Sequence, residues 1–188
     1  MEALMYRLFV AIDLPELVKE AVAGIVTGAL TGARRVPLEQ LHLTLRFIGD
    51  VDEEMFQTIK NALCGIMSAP FYLTLKEVGH FPPGKYPRVL WVGMEKSGQL
   101  LSLQQEIELA LVGVGVEAEK RGFSPHITIA RLKETPPAKV ALLEEGNRLF
   151  VAGPFPVKEF LLYSSTLTRE GAIHKKEAVY RFDATPLG

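Results

Sequence analysis

The second half of this sequence repeats the order of elements in the first half, and this internal repeat is what most constrains the fold. Each half opens on an apolar, strand-like run that begins with arginine, RLFVAIDLP at 7–15 and RVLWVGME at 88–95. Each run is followed by a segment with the helical spacing of apolar residues, at 16–30 and 98–112. The repeat therefore predicts two similar lobes, each with a sheet and helices.

Each half continues with a strand that carries a histidine, a second helix and a further strand. The histidine strands, LHLTLRFIG at 41–49 and PHITIARL at 125–132, alternate polar and aliphatic residues as half-buried strands do. The other predicted elements are helices at 52–67 and 137–150 and strands at 71–81, 154–167 and 178–184. We therefore expect an α+β fold of two pseudo-symmetric β-α-β-α-β lobes, with antiparallel sheets and with helices on the outer faces.

Length and composition fit one domain. The chain has 188 residues, 48% of them hydrophobic, which is enough to supply one sizeable core. Glycine and proline do not accumulate into a linker, although FPPGKYP at 81–87 marks a break between the halves. We expect residues 1–188 to form a single domain whose lobe-like repeats cover about 1–85 and 86–188.

Charge, cysteine content and hydropathy narrow the classes of function. The 21 Lys and Arg residues balance 22 Asp and Glu residues, and a net charge of -1 excludes the broad positive field of a protein that coats duplex nucleic acid. Cys64 is the only cysteine, so we expect a small buried residue in a cytoplasmic protein without an intramolecular disulfide. The first apolar run is interrupted by Asp13 and Pro15, and no run approaches the roughly 20 residues that cross a bilayer. We therefore expect no membrane association.

The motif His-aliphatic-Thr-aliphatic occurs twice, at equivalent places in the repeat. Since strand residues i and i+2 point to the same face, His42 and Thr44 project together, and His126 and Thr128 do likewise. In-line displacement at phosphorus places the attacking and leaving oxygens on opposite sides, and imidazole serves as acid or base near neutral pH. Two facing histidines therefore favour phosphoester chemistry without a metal or cofactor, with the threonine hydroxyls as donors to the phosphate.

Two other interpretations of these histidines stay open at the level of sequence. Both could be ordinary sheet residues, which is what one isolated His-x-Thr triplet would favour. Four histidines could also supply ligands to zinc, although neither motif has the spacing His-x-Asp, Cys-x-x-Cys or His-Glu-x-x-His. The occurrence of both copies at equivalent places in the repeat makes the acid and base pair the stronger hypothesis.

Nearly the whole chain resembles the two-histidine phosphoesterase superfamily, and within it the RNA 2′,3′-cyclic phosphodiesterases, formerly called 2′-5′ RNA ligases. The resemblance rests on the segments RLFVAIDLP, LHLTLRFIG, PRVLWVG, FSPHITIAR and LYSSTL. It implies two lobes that flank a cleft, with His42 as proton donor to the departing 3′ oxygen and His126 as proton acceptor from water. It also implies that Thr44 and Thr128 hold the phosphate. The expected partners are RNA ends with a 2′,3′-cyclic phosphate, tRNA fragments among them, and we expect a monomer.

Two arginines follow the histidine motifs. Arg131 matches the arginine that closes the family's second motif, and the resemblance implies a phosphate or nucleotide contact for it. It lies five positions after His126, so a regular strand would turn it to the opposite face unless a β-bulge intervenes or it acts from the strand end. Arg46 shares the parity of His42 and Thr44, and we expect it to bind substrate as well.

The chain departs from the family pattern at GAIHKKEAVY, 171–180, where relatives often carry Gly-Pro-x-Tyr. His174 lies in this segment and is expected either to contact a nucleobase or to be an exposed loop histidine. Hydrolysis of RNA 2′,3′-cyclic ends to 2′-phosphomonoesters is the leading hypothesis for the activity. The alternatives are ligation or hydrolysis of another cyclic or 2′-5′ phosphodiester, and binding of RNA ends without turnover.

Overall fold

The strands of the protein pair into two antiparallel sheets in a computed structural model, which describes residues 4–26, 28, 30–84, 86–169 and 171–183. The strands are β1 (Tyr6–Asp13), β2 (Ala33–Arg35), β3 (His42–Val51), β4 (Phe71–Phe81), β5 (Val89–Met94), β6 (Ile127–Leu132), β7 (Val151–Val157), β8 (Glu159–Leu167) and β9 (Ala172–Arg181). The helices are α1 (Glu16–Ala23), α2 (Glu53–Leu63), α3 (Gly98–Gly113) and α4 (Pro137–Gly146), with a 3-10 turn at Leu38–Gln40. Among the described residues, no helix combines the length and the apolar character needed to cross a membrane.

Each sheet contains strands from both halves of the sequence. Sheet A has the strand order β3-β1-β8-β9, and sheet B has the order β2-β6-β5-β4-β7. β2 and β4 of the first half thus lie in sheet B, while β8 and β9 of the second half complete sheet A. The helices are exchanged in the same way, since α1 contacts β7 and α3 contacts β3. The α+β fold with two antiparallel sheets is confirmed, but a boundary near residue 85 does not separate one sheet from the other.

Three helices end earlier than their apolar patterns indicate, α1 at Ala23, α2 at Leu63 and α4 at Gly146, and one predicted strand is divided. α1 stops at Ala23 instead of continuing to residue 30, because Gly24 follows it and Gly28 takes a positive φ of 79°. The strand predicted at 154–167 is divided between two sheets, as β7 and β8. β7 lies at the edge of sheet B, where Pro154 and Pro156 are tolerated although they cannot donate backbone hydrogen bonds.

Three further features differ from the sequence expectations. β2 has the sequence ARR, whose lack of apolar alternation hides its pairing with β6. β9 begins at Ala172, earlier than the predicted strand, whose last residue, 184, lies outside the described residues. Cys64 is exposed instead of buried, because it follows the last residue of α2, where its thiol donates a hydrogen bond of 3.3 Å to the carbonyl of Lys60.

Candidate active site

The two histidine motifs line one cleft of about 370 Å³. His42 is the first residue of β3 in sheet A, and His126 immediately precedes β6 in sheet B. Thr44 and Thr128 line the same cleft, and both are partly buried. The fold therefore brings together the four side chains that the repeat selects.

The backbone orients both imidazole rings in the same way. Nδ1 of His42 donates to the carbonyl oxygen of Gln40 over 2.7 Å, and Nδ1 of His126 donates to the carbonyl of Ser124 over 2.7 Å. Because a carbonyl oxygen only accepts, the proton of each neutral ring is fixed on Nδ1. Nε2 is therefore the atom of each ring that is free to exchange a proton, and in His42 it lies 3.1 Å from Oγ1 of Thr44.

The surroundings of His42 favour its neutral form in the free protein. The pKa of His42 is lowered to about 4, with burial as the largest cause. The hydrogen bond to Gln40 and the charge of Asp13 act to raise this pKa, and the charges of His174 and Lys19 act to lower it. A phosphate anion bound beside the ring raises the pKa again, because an opposite charge stabilises the imidazolium. Protonation of His42 is therefore coupled to the binding of an anion.

Asp13 moderates the charge next to His42, which it faces in the pairing of β1 with β3. Its carboxylate forms ion pairs with Nζ of Lys19 at 2.7 Å and with Nζ of Lys176 at 2.8 Å. Burial opposes ionisation of Asp13, but hydrogen bonds from the two ammonium groups hold the pKa of this carboxyl below its ordinary value. The carboxylate thus reduces the effect of both lysines on the neighbouring imidazole.

A β-bulge in each histidine strand changes the face to which the later residues point. The pairing of β3 with β1 skips Leu45, directly after the threonine of the first motif. The pairing of β6 with β5 skips Ile129, directly after the threonine of the second motif. In both strands the fifth residue after the histidine consequently lines the cleft, Phe47 in the first and Arg131 in the second. The bulge that a cleft position for Arg131 requires is therefore present.

The expectation that Arg46 faces the cleft and binds substrate is wrong, because the same kind of bulge turns it into the interior. Its side chain is only 6% exposed and forms an ion pair with Glu108 of α3. The guanidinium also donates to the backbone carbonyls of Phe47 and Glu117. These partners satisfy the hydrogen-bond donors of Arg46 within the protein. Phe47 occupies the position in the cleft that strand parity assigned to Arg46.

Three arginines that the sequence analysis did not select also line the cleft, and they are Arg7, Arg34 and Arg35. No Asp or Glu is among the lining residues in the described part of the chain. The described lining of the cleft is consequently positive although the whole chain has a net charge of -1. Two sequence features could have pointed to these arginines, namely the arginine that opens the first repeat and the segment ARR at 33–35.

His174 belongs to the cleft, so the expectation of an exposed loop histidine is wrong. It is a partly buried residue of β9, and its ring centroid lies 5.5 Å from that of His42 and 4.9 Å from that of Phe9. Burial lowers the pKa of His174. Its Nδ1 is buried and has no hydrogen-bond partner among the described residues.

His80 lies apart from the cleft, with Nδ1 at 2.6 Å from the carboxylate of Glu144. This contact gives His80 a structural partner on α4. Within the described ranges, no group of three or more His, Cys, Asp or Glu side chains is placed to hold a metal ion.

Comparison with known proteins identifies the family. The model of the 2′-5′ RNA ligase superfamily matches residues 14–169. The RNA 2′,3′-cyclic phosphodiesterase of Archaeoglobus fulgidus is 33% identical over 177 residues, which cover 93% of this chain and 99% of the relative. The protein of the same name from Thermotoga maritima is 38% identical over 174 residues, 90% of this chain and 91% of the relative. The crystal structure of E. coli LigT complexed with 3′-AMP matches with a TM-score of 0.76 and 27% identity, over 95% of this chain and 99% of the other. The chain therefore belongs to the 2′-5′ RNA ligase superfamily.

Proposed function

We propose that this protein hydrolyses the 2′,3′-cyclic phosphate at the end of an RNA to a 2′-phosphomonoester, with His42 and His126 as its acid and base. The observation that carries the proposal is the equivalent placement of two imidazoles in one positive cleft, each with Nδ1 fixed by a carbonyl two residues earlier. The relatives from Archaeoglobus fulgidus and Thermotoga maritima, which bear the name RNA 2′,3′-cyclic phosphodiesterase, support the same activity.

The reaction balances with the residues of the cleft alone. Nε2 of His126 accepts a proton from water as the water oxygen attacks phosphorus. The bond between phosphorus and the 3′ oxygen breaks on the opposite side, and that oxygen receives a proton from Nε2 of His42. The product carries a 2′-phosphate and a free 3′-hydroxyl, and exchange with solvent returns each ring to its starting protonation state.

The other polar groups of the cleft bind the phosphate. The hydroxyls of Thr44 and Thr128 donate to the non-bridging oxygens, where negative charge increases during the attack. Arg131 contacts the phosphate or the nucleotide through its guanidinium. Because the pKa of His42 is about 4 without an anion, the donor role also requires that the bound phosphate stabilises the imidazolium.

One experiment separates this activity from its alternatives. The protein is incubated with an oligonucleotide that ends in a 2′,3′-cyclic phosphate, in excess chelator, and the products are identified by phosphorus NMR. We expect a 2′-phosphomonoester, and a loss of rate of roughly 10²-fold or more in His42→Ala and His126→Ala. Binding without turnover would indicate a binding module, loss in chelator with recovery in zinc or manganese would indicate a metal enzyme, and joined ends would indicate ligation.

A sulfur substrate tests which histidine is the acid, an assignment that rests on the family resemblance because both rings are held alike. A 3′ thiolate leaves without a proton, since thiols ionise far more readily than alcohols. His42→Ala should therefore recover activity on a cyclic analogue with 3′ sulfur, whereas His126→Ala should not. Selective recovery of His126→Ala would reverse the assignment.

The proposal includes a monomer that acts as a single domain in the cytoplasm, on RNA ends that include tRNA fragments. Support for the monomer comes from the cleft, which is lined by both sheets of one chain. Support for the single domain comes from the hydrophobic core cluster, which contains Leu43 of β3 in sheet A and Ile127 of β6 in sheet B. Sedimentation of the purified protein measures the oligomeric state directly.

A further inference from the structure

The cleft carries more positive charge than one cyclic phosphate requires. A 2′,3′-cyclic phosphate is a diester with a single negative charge, whereas four arginines line the cleft, Arg7, Arg34, Arg35 and Arg131. Among the described residues, no carboxylate lines the cleft with them to balance these charges. The excess of charge favours a ligand with a second anionic group.

Arg34 and Arg131 face each other directly in the antiparallel pair of β2 and β6. Like charges in opposite positions on neighbouring strands destabilise the pair. In the part of the chain that the structure describes, no ion pair joins either guanidinium to a carboxylate. A phosphate between them would replace this repulsion by two attractive contacts, and the planar guanidinium matches phosphate oxygens in geometry.

The guanidinium of Arg34 lies close to the start of β9. Its guanidinium lies against Gly171 beside β9, where a Cβ would come within 2.5 Å of Nη2. Glycine at this position therefore leaves the room that the guanidinium occupies. Next to it, Nε2 of Gln40 donates to the carbonyl of Ala172 over 2.8 Å, which ties the 3-10 turn after β2 to the start of β9. Arg34 thus lies at the cleft, beside the start of β9.

The Arg34 and Arg131 pair lies beyond the threonine of the second motif along β6. Arg131 follows Thr128 by three residues, which at the rise of a strand is a separation of about 10 Å or less. The long arginine side chains can close part of this distance, so the pair is within reach of the next phosphate along a nucleotide chain. In RNA, that phosphate is the diester on the 5′ oxygen of the terminal nucleotide.

We propose that Arg34 and Arg131 form a subsite for the phosphate on the 5′ side of the terminal nucleotide, which makes a polynucleotide end, and not a free nucleoside cyclic phosphate, the preferred substrate. The inference rests on the proposed function and adds a second anionic contact to it. Arg34 belongs to this subsite and does not touch the phosphorus that reacts.

The test compares three substrates, which are adenosine 2′,3′-cyclic phosphate, the same nucleotide with a 5′-phosphate, and a dinucleotide with a 2′,3′-cyclic end. For Arg34→Gln we expect kcat/KM to fall about 10-fold or more on the second and third substrates, as for one lost charged hydrogen bond. We expect it to stay within about twofold on the first. The matched control is Arg148→Gln, which removes the same charge from an exposed ion pair with Glu145 outside the cleft.

Equal losses on all three substrates, or none on any, would overturn the subsite, because Arg34 would then act on the reacting phosphate, on the fold, or not at all. A loss on the dinucleotide alone would also overturn it, since the contact would be to the preceding nucleoside. Arg34→Lys keeps the charge and should retain part of the preference, which supplies a second variant if Arg34→Gln folds poorly.

A binding measurement separates failure of the subsite from failure of the proposed function. Wild type and Arg34→Gln are titrated with adenosine 2′-phosphate and with adenosine 2′,5′-bisphosphate. We expect the 5′-phosphate to increase the affinity of the wild type about 10-fold and to add little in Arg34→Gln. This result would support the subsite even for a protein without turnover, and equal gains in both proteins would overturn it.

Discussion

His42 and His126 gain their orientation from backbone atoms and not from other side chains. Each Nδ1 donates to the carbonyl of the residue two positions earlier, Gln40 in one case and Ser124 in the other. A carbonyl is present at every position, so the two unlike residues serve the same purpose. The paired motif therefore depends on the course of the chain before each strand as much as on its own residues.

The charges of His174 and Asp13 next to His42 lead to a prediction about the pKa of His42. We expect His174→Asn to raise the pKa of His42, because the charge of His174, 5.5 Å away between ring centroids, lowers that pKa in the wild type. Asp13→Asn should lower the pKa of His42, since it removes the carboxylate that raises it and leaves Lys19 and Lys176 unbalanced. NMR titration of the His42 ring measures both changes, and shifts in the same direction in the two variants would contradict the assignment.

The bulges in β3 and β6 act at the scale of the element. An extra residue in each strand reverses the alternation of faces, so Arg131 enters the cleft and Arg46 leaves it. The change is equivalent in the two sheets, which preserves the pseudo-symmetry of the motifs. The side chains that result are unlike, however, with Phe47 at one position and Arg131 at the other. The two ends of the cleft therefore present different chemistry to a bound nucleotide.

Matched substitutions of Arg46 and Arg131 test whether the first is structural and the second lines the cleft. Arg46→Met should lower the free energy of unfolding by about 2 kcal/mol, because the partly buried Glu108 loses its ion-pair partner. The kcat/KM of the folded Arg46→Met protein should stay close to that of the wild type. Arg131→Met should show the opposite pattern, with lower kcat/KM and little change in unfolding, since Arg131 is exposed in the cleft. Urea denaturation and kinetics of both variants measure these effects. Lower kcat/KM in Arg46→Met together with lower stability in Arg131→Met would contradict the assignment.

At the scale of the whole molecule, the two halves of the chain depend on each other. β4 of the first half pairs with β5 and β7 in sheet B, and β8 of the second half pairs with β1 in sheet A. Neither half can complete its sheet alone. The cleft, with one histidine motif on each sheet, exists only when both sheets are assembled.

The buried histidines predict how the stability of the whole molecule varies with pH. Burial lowers the pKa of His42 from 6.5 to about 4 and also lowers the pKa of His174. Between these pH values the unfolded chain binds protons that the folded protein does not, so the free energy of unfolding falls as the pH is lowered. Below about pH 4 both states hold the proton on His42, and the loss from this residue stops.

Urea denaturation at about pH 7 and at about pH 4.5 measures this effect, with His42→Asn as the comparison. We expect a smaller loss of stability in the variant than in the wild type, because one of the responsible groups is gone. Asp13, whose lowered pKa makes its contribution disappear only at more acid pH, does not act in this window. Equal losses in both proteins would show that His42 is not a source of the pH dependence.

The sequence by itself determined the features that depend on the pattern of neighbouring residues. Period-two alternation around His42 and His126 identified both strands. The equivalent places of the two motifs in the repeat predicted that the two histidines act as a pair. The elements between them were close to their observed bounds wherever apolar spacing was regular, as in α3 and β4. These patterns are readable because each depends on neighbours within one strand or helix.

The tertiary structure alone decided the features that depend on partners far away in the chain. A bulge is a property of the pairing between two strands, so the faces of Arg46 and Arg131 could not be read from either strand alone. The ARR segment became part of the cleft only by pairing with β6, and His174 reached His42 only through the register of β9 on β8. The repeat thus predicted which side chains form the pair, while long-range register determined which charges surround them.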